Sequence, residues 1–357
     1  MDLSKAFDTV DHEILLTKLE HYGVRGVPLL WFKNYLLGRK QFVKFKNQDS
    51  NLQAVECGVP QGSVLGPLLF IIYMNDLISS LSLCKAILFA DDTTIYVTGK
   101  NKKDLFFNMM SDLLSLTEWF QVNKLSLNIS KTNYMVFYPK RMQIDTADDN
   151  RCVLLIGNEA ISEVHSVKFL GLYLDKHLEW TEHFKMLHKK LGRANYLLNS
   201  VKNIVPKRIM RTLYHSIFYS HLMYGLFLWG PSMLNCNKNK LINAQKKAIR
   251  AVSSARYNAS TDALFVNLNL LKFNDLIDLE LLKLMYLFSK NALPETMFSI
   301  FSANRPVHRY NTRFRNDPQI IQRKYSILDK SFICRAPALW SHLSVEVRSC
   351  KTVSAFK

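Results

Sequence analysis

Residues 86–97, "AILFADDTTIYV", set an apolar run against two adjacent carboxylates and then return to β-branched and aromatic residues. The pattern predicts two short strands joined by a tight turn that carries Asp91 and Asp92. Aspartate is at home in turns, where its side chain bonds nearby backbone N–H groups. Taken alone, the pair is accounted for by a polar hairpin tip. Whether the acids do chemistry depends on what the rest of the chain brings to them.

Composition sets the bounds. A chain of 357 residues with 48% apolar content can hold two or three domains with real cores. Its formal charge is +18, and the excess is confined to one half. Residues 1–175 carry 18 Lys and Arg against 19 Asp and Glu, whereas residues 176–357 carry 29 against 10. That asymmetry points to a polyanionic partner, with nucleic acid ahead of a membrane surface. The cysteines are scattered, with no C-x-x-C and no Cys/His cluster, which argues against a zinc site or a disulfide scaffold. No apolar run reaches the ~20 residues of a bilayer span. No secretory or transit signal opens the sequence, so an intracellular protein, nuclear or cytoplasmic and not secreted, is expected.

Elements follow from periodicity and punctuation. "DHEILLTKLEHYG" (11–23) reads as a helix capped by Asp11 and stopped at Gly23, and Pro28 and Gly38 bracket a second. "QFVKFK" (41–46) alternates like a half-exposed strand. After the Gly/Pro-rich 57–67, "LLFIIYMNDL" (68–77) reads as a buried helix with Ser63 a plausible cap. The acidic hairpin follows, then a helix over 103–120, a strand at 131–138, a hairpin about Gly157-Asn158 and a last strand in "VKFLGLYLD" (167–175). Mixed elements without strict alternation predict an α+β layer, a mainly antiparallel sheet with helices on one face. From Thr181 the pattern turns helical. Phe184, Leu187, Leu191, Ala194 and Leu198 make a seam, and Lys185, Lys189 and Arg193 a stripe beside it. A helix opens at Pro206, and others run through 240–256 and 274–290.

The best third acid is Asp2, in "MDLSKAFD" (1–8). Nucleotidyl transfer needs a 3′-hydroxyl made nucleophilic and a pyrophosphate neutralised. Two Mg²⁺ ions roughly 3.5–4 Å apart do both, and a few short carboxylates with the substrate phosphates suffice to hold them. The expectation is geometric: Asp2 must fold beside the hairpin tip.

"DLSKAFD" (2–8), "GVPQGSVLGPLLF" (58–70), "FADDTT" (89–94), "LNISKTNYMVF" (127–137) and "VKFLGLYLD" (167–175) occur in an order and spacing that resembles the reverse-transcriptase palm of LINE-type (non-LTR) retrotransposons. The resemblance implies a right-hand polymerase, with a palm over 1–175, a basic helical thumb-like region over 176–260 and a helical, basic C-terminal region over 261–357. It implies an RNA-directed DNA polymerase with Mg²⁺ (or Mn²⁺) as cofactor and an RNA template, a DNA primer and dNTPs as partners. Asp2 and Asp91 then match metal ligands, with Asp92 a weaker one and the backbone of Leu3 assisting. Phe7 matches the aromatic gate against a ribose 2′-hydroxyl; read alone, it is a core aromatic before a helix. Asp8 braces the loop. Gln61 and Gly62 match the nucleotide-facing loop. Lys131 matches a lysine that protonates the leaving pyrophosphate, or is a solvated strand-edge lysine. Phe169, Leu170 and Gly171 match the primer grip, or are sheet core.

After the palm, Lys185, Lys189 and Arg193 suit a phosphate backbone rather than base edges. Residues 305–325 interleave Arg305, Arg309, Arg313 and Arg315 with His308, Tyr310 and Phe314, as single-strand binders do and as basic linkers also do. The pattern departs from the family at its start, where Met1 directly precedes the first ligand. A fragment lacking most of the fingers is therefore expected, weak or inactive alone. The alternative is a non-catalytic nucleic-acid-binding relic that keeps the palm as scaffold.

Overall fold

Asp11 opens the first helix as its sequence demands. Its carboxylate accepts from the N–H groups of Glu13 and Ile14, both at 3.0 Å, and the helix (α1, His12–His21) buries Leu15 and Leu19. The computed structural model describes residues 1–140, 153–302 and 330–356 and divides them into two units. The first holds Met1–Val136 and the described residues up to Val164; the second holds the segment from Phe137 and everything from His165 onward.

In the first unit α1 is followed by α2 (Val27–Leu36), with Pro28 in its first turn. A long exposed ribbon comes next, in which β1 (Lys40–Gln41) pairs antiparallel with β4 (Gln53–Ala54) and β2 (Lys44–Phe45) with β3 (Gln48–Asp49). Helix α3 (Leu65–Met74) begins where the Ser63 hydroxyl accepts from the Gly66 N–H at 2.9 Å. The acidic hairpin is β5 (Lys85–Phe89) and β6 (Asp92–Tyr96), registered Phe89↔Asp92 through Lys85↔Tyr96. Helix α4 (Lys102–Val122) packs Phe106, Leu113, Leu116 and Phe120 into the core with Phe70 and Tyr73. Beyond it β7 (Asn133–Tyr134) pairs in parallel with β10 (Ser162–Glu163), and β8 (Leu155–Ile156) forms a hairpin with β9 (Glu159–Ala160) about Gly157-Asn158. The described strands thus make short two-stranded pairs, one of them parallel, in place of the expected mainly antiparallel sheet. Backbone bonds outside these pairs tie the segments together around α1, α3 and α4.

A half-buried lysine braces this unit. The Lys18 ammonium donates to the Tyr73 carbonyl at 2.6 Å and the Asp76 carboxylate at 2.7 Å, and lies 4.6 Å and 4.9 Å from the Tyr73 and Trp119 ring centres. Burial lowers its affinity for a proton, and Asp76 opposes that shift.

The second unit begins with a hairpin, β11 (Ser166–Phe169) and β12 (Leu172–Asp175), and continues into α5 (Thr181–Val201). Asp175 joins the two: its carboxylate accepts from the N–H groups of Glu179 at 2.8 Å and Thr181 at 3.1 Å. This bond set, with Leu172 in the helical core, is why the hairpin read from sequence as palm groups with the helices. Short helices α6 (Lys207–Leu213), α7 (Ser220–Met223) and α8 (Leu226–Trp229) follow, with a π-helical turn at Tyr214–Tyr219. Helix α9 (Asn235–Val252) lies along α5. Then come α10 (Asp262–Asn267), α11 (Phe273–Ser289), α12 (Glu295–Ser302), α13 (Phe332–Ser341), α14 (Val345–Arg348) and α15 (Val353–Phe356). One core, which includes Trp229, Tyr214, Phe218 and Phe273, takes side chains from all of these helices but α14, so the described residues of 176–260 and of 261–357 share a unit. Burial pushes the Tyr214 hydroxyl up to about 12, and the Gln245 amide satisfies it at 3.3 Å while also donating to the Leu271 carbonyl. The basic-aromatic stretch 305–325 lies outside the described residues. Among the described residues no helix is long and apolar enough to cross a membrane.

Candidate active site

The first four residues run as an extended segment between two others. On one edge Leu3 bridges Leu127 antiparallel, with Ser4 N–H donating to the Ser126 carbonyl and Asn128 N–H to the Asp2 carbonyl, both at 2.9 Å. On the other, the Met1 nitrogen donates to the Thr93 carbonyl of β6 at 2.7 Å. Asp2 therefore starts beside the acidic hairpin. Asp91 sits exposed in the two-residue turn, after Ala90 at a φ of 51°, a left-handed conformation that costs a non-glycine residue about 1–2 kcal/mol. Leu3 points its side chain into the core.

Lys131 lies 3.5 Å from Asp2, Nζ to Oδ2, and is mostly exposed. It arrives through a tight turn in which Thr132 N–H donates to the Asn128 carbonyl at 3.0 Å and the Thr132 hydroxyl to the same oxygen at 2.9 Å.

The Gly/Pro loop packs on the segment after Asp2. Val59 N–H donates to the Phe7 carbonyl at 2.8 Å, and Gly58 N–H to the Val10 carbonyl at 2.7 Å. Buried His12 closes the same junction, its Nε2 2.8 Å from the Gly58 carbonyl. Phe7 is half-buried against Phe70, ring centres 4.5 Å apart. Asp8 accepts from the Gln61 amide at 2.7 Å, which orients Gln61 in the exposed loop. Gly62, at a φ of 78°, faces open space.

In the second unit Leu170 and Gly171 form the turn of β11–β12, both with positive φ (44° and 86°), and Phe169 precedes them. The Tyr224 hydroxyl donates to the Leu170 carbonyl, and a Cβ on Gly171 would lie 3.1 Å from the Tyr224 ring. The apolar run "SHLMYGLFLWG" (220–230) reads as core and marks no role for Tyr224. The ring is in fact exposed and its partner lies far away in sequence, so no local signal marks it. Tyr224→Phe should loosen this turn by about 1 kcal/mol, read as faster hydrogen exchange at Gly171 and Leu172. Unchanged exchange there would show that the bond does not hold the turn. Lys185, Lys189 and Arg193 are all exposed on α5; Lys185 pairs with Glu182 at 2.6 Å.

Residues 1–174 match the family model described as "Reverse transcriptase (RNA-dependent DNA polymerase)". They belong to the reverse-transcriptase family, in its non-LTR retrotransposon branch. The chain is similar to the "Probable RNA-directed DNA polymerase from transposon BS" of Drosophila melanogaster, 28% identical over 76% of this chain and 30% of the relative. It is likewise similar to that from transposon X-element of the same species, 28% identical over 76% of this chain and 30% of the relative. The RNA-directed DNA polymerase of mobile element jockey from Drosophila funebris is 26% identical over 78% of this chain and 30% of the relative. The aligned part of this chain thus spans under a third of these curated relatives. Within the reverse-transcriptase domain, among the described residues, no three His, Cys, Asp or Glu side chains converge as a cage for a metal ion. Mg²⁺ does not require one: it is commonly held by one or two carboxylates plus substrate phosphates and water. Asp2, seated beside the hairpin that carries exposed Asp91 and Asp92, fits that open kind of site.

Proposed function

We propose that this chain carries the nucleotide-adding part of an RNA-directed DNA polymerase, joining dNTPs to a primer 3′-hydroxyl on an RNA template. The observation that supports it is the bond from the Met1 nitrogen to the Thr93 carbonyl of β6, which seats Asp2 beside the hairpin that carries Asp91 and Asp92. Asp2, Asp91 and Asp92 would hold two Mg²⁺, or Mn²⁺, which when bound neutralise the attacking and leaving oxygens. Phe7, backed by Phe70, walls off a ribose 2′-hydroxyl. Gln61, steadied by Asp8, bonds the nucleotide, and Gly62 lets it approach the backbone. Lys131 gives a proton to the departing pyrophosphate. Its exposed pair with Asp2 is weak and is released at little cost. The Phe169-Leu170-Gly171 turn supports the primer, and Lys185, Lys189 and Arg193 hold backbone phosphates.

Two measurements test this. Mn²⁺ should bind the chain, and Asp2→Asn or Asp91→Asn should weaken binding at least about tenfold by electron paramagnetic resonance. Any primer extension on poly(rA)/oligo(dT) should vanish in Asp91→Ala; extension that survives it would sink the reading. The exposed Lys185, Lys189 and Arg193 on α5 also suit a second reading, a non-catalytic nucleic-acid binder that keeps the palm as scaffold. Under it, Mn²⁺ fails to bind while RNA still does. Replacing Lys185, Lys189 and Arg193 by Gln should flatten the slope of log affinity against log salt by about 2–3. An unaltered slope would show that the stripe touches no phosphate.

A further inference from the structure

The packing of α5 on α9 leaves a groove of about 360 Å³, lined by His188, Gly192 and Asn195 from one helix and Lys240, Asn243 and Lys247 from the other. No acid lines it, and neither lysine has a carboxylate partner among the described residues. Gly192 is unexpected there. A glycine within a 21-residue helix weakens it, and packing does not require this one, because a Cβ would meet no atom within 4 Å. Its absence of a side chain instead leaves helix backbone open to whatever enters.

Asn195 supplies a second, independent sign. Its side chain is nine-tenths buried, and Nδ2 donates to the Ala244 carbonyl at 3.1 Å, which fixes the amide's orientation. Oδ1 is left buried with no hydrogen-bond partner. An acceptor without a donor is costly, and such atoms ask for explanation by a group the structure lacks. A ligand for this groove therefore has to bring negative charge to the lysines and a hydroxyl or N–H donor to Asn195. Lys240 and Lys247 stand seven residues apart, about 10 Å along the helix, a span that suits two phosphates of one strand.

We propose that the groove takes the sugar–phosphate backbone of an RNA strand. Lys240 and Lys247 bind two phosphates, Gly192 admits the sugar against α5, and Asn195 Oδ1 accepts from a ribose 2′-hydroxyl. Deoxyribose has no such donor, so the groove reads RNA against DNA. This rests on the reading that the helical unit holds nucleic acid, and goes further by assigning sugar selectivity to a place the Lys185, Lys189, Arg193 stripe does not occupy.

The test measures binding of the full chain to oligo(U) and oligo(dU) of equal length at low salt. The wild type should favour RNA by roughly fivefold to tenfold, the yield of one extra hydrogen bond. Asn195→Leu should bring the two affinities together. Because that change also severs the bond to Ala244, Gly192→Leu is the companion: a better helix former that fills the groove. It should raise the thermal midpoint yet erase the RNA preference. Equal affinities in the wild type, or a preference intact in Gly192→Leu, overturn the proposal. If stripe variants still lose binding in that case, only the groove assignment fails. If neither oligonucleotide binds, the reading of the helical unit fails with it.

Discussion

Gly58→Ala should destabilise the first unit by about 3 kcal/mol or more, a large share of the ~5–15 kcal/mol that holds a domain together. Two costs add. The residue has a φ of +89°, where a side chain costs about 1–2 kcal/mol. The new Cβ would also lie 2.9 Å from the Cα and carbonyl oxygen of Asp8, which are backbone atoms with little freedom to retreat. Forcing such a contact costs roughly 1–3 kcal/mol. Relief requires the Gly/Pro loop to lift from the segment after Asp2, breaking the Gly58–Val10 and Val59–Phe7 bonds and releasing His12. Hydrogen exchange should accelerate at Gly58, Val59 and the first turn of α1 and stay unchanged in α5 and α9. Gly62→Ala is the control. It shares the positive φ but meets open space, so about 1 kcal/mol is expected. Equal losses in the two variants would show that strain alone acts and that the close approach to Asp8 is immaterial.

That contrast marks what a sequence exposes. The Gly/Pro loop was legible as a loop, as were the Asp11 cap, the hairpins at 85–96 and 155–160 and the helical seam of α5, because each is written in neighbouring residues. Which of the two glycines is pinned depends on Asp8, some fifty positions away. Tyr224 closing the Leu170 turn, Lys131 meeting Asp2 and Asn195 stitching α5 to α9 are of the same kind. The strands mislead for a related reason. "QFVKFK" alternates as a strand should, yet alternation cannot say whether a sheet receives it, and here it folds back as a lone ribbon with both faces exposed. For the acidic pair, composition and turn chemistry reach only as far as a hairpin tip. It took the backbone bond from Met1 to Thr93 to bring Asp2 alongside.

Asp112 is the residue whose loss should matter most to the hairpin, and it is hidden inside the apolar face of α4. Its buried carboxylate accepts from the N–H groups of Ser82 at 3.2 Å, Leu83 at 2.9 Å and Cys84 at 2.6 Å, the residues that lead into β5. Asp112→Ala strands three donors and should cost about 3–5 kcal/mol. Asp112→Asn keeps one accepting oxygen and should cost less. Burial alone would raise the Asp112 pKa, but these N–H donors more than offset it and hold it below the usual carboxylate value. Folding therefore favours the ionised form. The stabilisation is complete above the unfolded pKa of about 3.9 and fades as pH falls through the lower folded value, so the wild type should lose more stability on acidification than Asp112→Asn. Cys84 reports the event. Its thiol is buried and pushed up to about 12, by burial first and by Asp112 beside it, so it should resist alkylation in the native chain. Opening the anchor by about 3 kcal/mol should raise its labelling rate on the order of a hundredfold in Asp112→Ala, with exposed Cys57 unchanged as the internal standard. Labelling of Cys84 at the wild-type rate would mean that the start of β5 is held by something other than this carboxylate.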